Sequence, residues 1–143
     1  MRVYISIFAL LALAGIFSQA ADKNQNLKMK TVEIRTYNLK PGTRAKFHKV
    51  ASEQALPMVR GAGIDVVANG PSLHDENSYV LIRSFPSVEE REKQEDAFYN
   101  SAAWKNGPRE AIMGCIESYT TVVMQIDDAG LASLHKAILG AKP

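Results

Sequence analysis

Hydrophobic and polar positions along this chain follow two rhythms. From Thr31 to Leu39 they alternate, with Val32, Ile34 and Thr36 on one side and Glu33, Arg35 and Tyr37 on the other. A period of two built from β-branched and aromatic residues predicts a strand. Lys40-Pro41-Gly42 ends it, because proline and glycine interrupt regular backbone. The spacing then turns helical. Behind Thr43 as an N-cap, Phe47, Val50, Ala51, Gln54 and Met58 form one stripe that predicts a helix running toward Arg60. Pro57 lies inside that stripe. It lacks a backbone donor and crowds the preceding turn, so the helix is expected to kink or end near Ala55, with Gly61-Ala62-Gly63 as the final stop.

Ile64–Asn69 reads as a short strand. A polar loop from Asn69 to Ser78 then leads into a strand over Tyr79–Phe85, as a long hairpin. In that strand Val80 and Ile82 point one way, and Tyr79, Leu81, Arg83 and Phe85 the other. A second helix opens at Ser87, which with Glu90 matches a capping box, and Glu89–Lys93 offers an i,i+4 ion pair. Its apolar face is thin (Val88, Ala97, Phe98, Tyr99), so surrounding structure has to hold it. Ser101 to Met113 reads as a loop and a short helical turn, and Ile116–Ile126 as the last strand. Asp127 or Asp128 caps a terminal helix with Leu131, Leu134 and Ile138 on one face. The order β-α-β-β-α-β predicts an α+β, ferredoxin-like antiparallel sheet with an extra C-terminal helix.

The head of the chain follows neither rhythm. Met1-Arg2 is followed by an apolar run from Val3 to Phe17 and by Ser18-Gln19-Ala20, the layout of a secretory signal peptide. Cleavage is expected after Ala20, with Ala21 as the alternative. The run is shorter than the ~20 residues that span a bilayer, so no stable membrane span is expected after cleavage. The chain divides into a signal at 1–20, a polar linker at 21–30, a domain at 31–126 and a helix and tail at 127–143. Export, periplasmic or secreted, follows from this layout. The formal net charge of +2 falls to +1 once Arg2 leaves with the signal, which gives no footprint for nucleic acid. The single cysteine, Cys115, has no partner for an internal disulfide. A buried small residue, an intermolecular bridge or a reactive thiol remain, and its neighbours Met113, Gly114 and Ile116, which offer no base or positive charge, favour the buried one.

The segments Glu33-Ile34-Arg35-Thr36-Tyr37 and Leu39-Lys40-Pro41-Gly42 resemble the opening strand and turn of the NIPSNAP family. Phe47, Leu56-Pro57, the Phe85-to-Arg91 turn and Trp104 fit the positions that follow. The resemblance covers Thr31 to about Ile126. It implies a dimeric α+β barrel architecture, shared with the antibiotic-biosynthesis monooxygenases, and it implies no particular reaction. The signal and the terminal helix depart from the family pattern.

Candidate chemistry depends on which sheet face the helices cover. With Val32, Ile34, Val80 and Ile82 toward the helices, Arg35, Tyr37, Tyr79, Arg83 and Tyr119 share the other face. Leu81 and Phe85 would add to an apolar, aromatic patch that a second copy of the chain would cover. Arg35, Tyr37, Arg83 and Tyr119 are then candidates to bind a small anionic or carbonyl-bearing molecule, since guanidinium presents a fork of donors. The competing reading is that Glu33 pairs with an arginine and the interface consumes the rest. His48 is the candidate general base for a cofactor-free, monooxygenase-like enzyme; an edge histidine is the plainer reading. A structural or protein-interaction module is the third alternative. His74 lies in a solvated loop beside Asp75 and Glu76, and His135 on the tail helix. No zinc spacing, serine-hydrolase elbow or phosphate loop is present, so no metal or cofactor is expected.

Overall fold

The computed structural model describes residues 28–140, so the expected signal and most of the linker lie outside the described residues. The first strand, β1, runs Met29–Leu39, two residues earlier than the alternation suggested. Met29 and Lys30 belong to the sheet rather than to the linker, because they pair with Asp127 and Ile126 of the last strand. The other strands are β2 (Asp65–Pro71), β3 (Ser78–Phe85) and β4 (Ile116–Asp127). All pairings are antiparallel, in the order β2-β3-β1-β4. This is the ferredoxin-like α+β fold.

Pro57 does not stop the first helix. An α-helical stretch α1 (Arg44–Val50) passes through a π-turn over Ala51–Ala55 into α2 (Leu56–Gly61). Leu56 N–H bonds back to Ala51 O, five residues earlier, so the widened turn sits just ahead of the proline that lacks a donor. The wider turn also rotates the inner stripe. Phe47, Ala51, Ala55 and Val59 are buried at steps of four, while Gln54, expected inside, is exposed. Gly63, at φ 80°, completes the stop.

Ser87 caps α3 (Val88–Asn100) by accepting from Glu90 N–H at 3.2 Å. Lys93 pairs with Glu90 at 3.6 Å, not with Glu89 as the spacing suggested. Ser101–Met113 holds two short helices, α4 (Ala102–Asn106) and α5 (Arg109–Met113), where a loop and one turn were expected. Ser101 supplies the missing start signal, accepting from Trp104 N–H at 3.1 Å. Asp127 caps α6 (Asp128–Gly140) by accepting from Gly130 N–H at 2.6 Å. Cys115 is buried, as its neighbours implied, and donates to Ala111 O at 3.3 Å.

The expectation about faces is reversed. The strand face carrying Glu33, Arg35, Tyr37, Tyr79, Leu81, Arg83 and Phe85 lies under the helices. The main core joins Tyr79 and Phe85 to Phe47, Ala51, Val59, Phe98, Trp104 and Ile112. Val32, Ile34 and Ile82 lie on the opposite face, where α6 crosses one end and buries Leu131 against Val32 and Val67. The rest of that outer face is open, with Val122 52% and Met124 49% exposed. Alternation told which residues share a face. It could not tell which face the helices would take.

Candidate functional site

Three arginines and two glutamates meet beneath α3. Glu33 on β1 pairs with Arg83 on β3, Arg35 on β1 and Arg91 on α3, and Glu95, one helical turn past Arg91, pairs with the same three arginines. The Arg83 and Glu33 side chains are wholly buried. An unpaired buried charge would be costly, so the members stay only because each is matched. Burial opposes ionisation of Glu33, but the guanidiniums of Arg83, Arg35 and Arg91 together outweigh it and hold the carboxyl below its ordinary value. Burial likewise opposes the charge on Arg83, and Tyr99, Glu33 and Glu95 reverse that and raise its pKa.

This cluster explains the thin apolar face of α3. Its inward residues are Arg91, Glu95, Phe98 and Tyr99, at the i, i+4, i+7, i+8 spacing of one helical stripe, whereas Val88 is exposed. The helix is held by ions at one end and aromatics at the other. Arg91 and Glu95 were missed because a search for apolar periodicity passes over charged residues. The available signal was their shared stripe with Phe98, opposite a strand carrying Glu33 and Arg35.

Of the three arginines, Arg35 is the one that lines a cleft. Its Nε donates to Thr121 Oγ1 at 3.1 Å, Nη1 to Tyr99 Oη at 3.1 Å and Nη2 to Glu95 Oε1 at 3.3 Å. The side chain remains 13% exposed. The cleft, about 510 Å³, opens beside β4 between the sheet and α3–α5. Tyr37, Tyr99, Trp104 and Tyr119 line it with Arg35, and Lys105 and Arg109 stand on it from the short helices. Its size falls within the range of ~300–1,000 Å³ usual for small-molecule sites. The Arg35 guanidinium lies 5.2 Å from the centre of the Tyr119 ring, a cation–π contact that helps to hold that exposed ring. Burial pushes the Tyr37 phenol up to about 12, so it is a neutral hydrogen-bonding group at ordinary pH. Behind the cleft is an inner cavity of about 50 Å³, room for a few waters. Tyr37, Tyr99, Trp104 and Ile112 line both spaces and form the wall between them.

The geometry therefore brings Arg35, Tyr37 and Tyr119 together on one cleft and leaves Arg83 behind them, tied to Glu33, Glu95 and Tyr99 Oη (3.3 Å). The competing sequence reading, a pairing of Glu33 with arginine, describes Arg83. His48 is not on this cleft. It is exposed, its Nδ1 lies 2.8 Å from Tyr79 Oη, and it borders a separate hollow with Arg44, His74 and Asp75. His74 takes part only in the loop's own turn, its N–H donating to Ser72 Oγ at 3.0 Å. His135 lies 3.0 Å from Asp65 at the far edge of the sheet. Among the described residues no group of three or more metal-ligating side chains forms, and no helix is long and apolar enough to cross a membrane.

An antiparallel β-α-β-β-α-β sheet with an arginine-and-tyrosine cleft under its helices defines a ferredoxin-like domain with a built hollow. The chain belongs to the NIPSNAP family, whose model matches residues 32–125. Among solved structures it is similar to a NIPSNAP family protein of unknown function from Agrobacterium tumefaciens, at 23% identity and a TM-score of 0.63, covering 68% of this chain and 88% of that one. A NIPSNAP-like domain protein from Burkholderia xenovorans gives 16% identity and a TM-score of 0.62 over 66% of this chain and 83% of that one. A candidate antibiotic biosynthesis monooxygenase from Nitrosomonas europaea gives 17% and 0.54 over 68% and 89%. At these identities the likeness is one of fold. No curated protein matches the chain.

Proposed function

We propose that this protein is an exported, homodimeric NIPSNAP domain that binds a small molecule in the cleft beside β4. The observation that carries this reading is the cleft itself, an open space of about 510 Å³ with Arg35 at its back and tyrosines on its walls. A domain of this size filled only for stability would not need a charged, aromatic hollow of these dimensions. Tyr37 and Tyr119 orient the ligand, Arg35 binds it, and Arg83 keeps Arg35 in place through the glutamates they share. Catalysis of the monooxygenase-like kind would need a base within reach of the ligand. His48 borders a different hollow, and Glu95 on the cleft is engaged by arginines, so binding is the better-supported reading.

The dimer reading moves to the other face. The outer face exposes Val122 and Met124 beside the half-buried Ile34, Val80 and Ile82, a surface that a second copy would cover across a two-fold axis. Export rests on the apolar run from Val3 to Phe17 and the small residues after it. One experiment addresses all three parts: native mass spectrometry of the protein purified from its own host. The expected result is a dimer of chains beginning at Ala21, carrying a reproducible small adduct. A dimer with no adduct would contradict the binding reading, a monomer the dimer, and a chain retaining Met1 the export.

A further inference from the structure

The cleft is not only a hollow; its charge is unbalanced. The ionic cluster under α3 holds three guanidiniums against two carboxylates. The cleft adds Lys105 and Arg109, and Glu95 is the one carboxylate that lines it. Lys105 reaches Asn100 Oδ1 at 3.2 Å, and neither Lys105 nor Arg109 forms an ion pair among the described residues. Arg35 carries more N–H groups than its three hydrogen bonds use. Inside the cluster, Arg83 Nε has no hydrogen-bond partner. Excess positive charge beside a partly desolvated wall attracts an anion more strongly than the same charge in open water.

The walls specify the rest of the ligand. Tyr37, Tyr99, Trp104 and Tyr119 offer ring faces and edges, and the phenol of Tyr37 remains protonated. Resting on the cleft reading above, we propose that the ligand is a small aromatic carboxylic acid. Its carboxylate sits among Arg35, Lys105 and Arg109, and its ring lies against Tyr119 and Trp104. Lys105 and Arg109 are the residues that select for charge. Both are exposed on short helices, outside the buried ionic cluster, so removing either leaves the fold in place.

The test is calorimetric titration of the purified protein with benzoate, with its neutral isostere benzamide and with inorganic phosphate. Benzoate is expected to bind at least roughly tenfold more tightly than benzamide, as the loss of a charge-assisted hydrogen bond implies. Lys105→Ala and Arg109→Ala should each weaken benzoate by about the same factor and benzamide much less, because its carbonyl is a neutral acceptor, with unfolding midpoints like the wild type. Equal binding of benzoate and benzamide, indifferent to both substitutions, would overturn the anion selectivity while leaving a ligand-binding cleft. Phosphate binding as tightly as benzoate would overturn the aromatic part. A native adduct retained by a protein that binds no benzoate would overturn the ligand class alone.

Discussion

The two faces of this sheet were built by opposite rules. The inner face, under the helices, carries Glu33, Arg35 and Arg83. The outer face carries Val32, Ile34, Val80, Ile82, Val122 and Met124 and is half open. Hydrophobicity alone does not choose between them, since the inner face also carries Tyr79, Leu81 and Phe85. The charged face can lie inside because α3 delivers Arg91 and Glu95 onto it, so that burial and pairing arrive together. The apolar face can lie outside because α6 seals one end of it and a second copy of the chain is proposed for the remainder. Which face a layer covers is thus decided by the partner element, and not by the strand's own alternation.

The largest effect should come from the inner face. Glu33→Ala leaves three arginines without that carboxylate and should destabilise the fold by about 3–5 kcal/mol in urea unfolding, the range for breaking a buried ion pair. A loss under ~1 kcal/mol, typical of an exposed pair, would mean the cluster does not hold α3. The same carboxylate fixes a pH dependence. Its pKa is lowered in the folded state from an ordinary value of 4.5, so its contribution is complete above 4.5 and is lost as pH falls through the folded value. The urea midpoint should therefore decline below that pH, and Glu33→Gln should flatten the decline. Leu131→Ala on the outer face should cost about 2–3 kcal/mol if α6 truly seals Val32 and Val67. His135→Ala removes a partly exposed pair with Asp65 and should cost under ~1 kcal/mol. Smallest for the folded protomer is Val122→Lys at an exposed strand position, expected to be monomeric by sedimentation and to lose only the concentration-dependent part of the wild type's unfolding midpoint. A dimer that survives Val122→Lys would place the interface elsewhere.

Much of the fold was legible in the sequence. The period of two fixed the residue sets of β1 and β3, and Ser87 with Glu90 marked the start of α3. Pro57 marked the irregularity that ends at Ala55, but its form was hidden, because a π-turn is invisible to rules that assume a constant helical step, and one widened turn moved Ala55 inward and Gln54 out. The site was legible in part. Arg35, Tyr37 and Tyr119 stand on one cleft, but the wall opposite them comes from α3–α5. Those helices are short or poorly amphipathic, so Lys105 and Arg109 gave no periodic signal, and Arg91 and Glu95 read as solvated charges until a strand of complementary charge lay beneath them.

The most direct test of a ligand-binding cleft uses Trp104, the one tryptophan in the chain, which lines the cleft and the cavity behind it. Its indole N–H gives a single cross-peak in a nitrogen–proton correlation spectrum. On titration with benzoate that peak should shift together with the backbone amides of Arg35, Lys105, Arg109 and Tyr119, and the amides of the Ser72–Asn77 loop should stay still. A motionless indole, with shifts confined to that loop or to the outer face, would contradict the account.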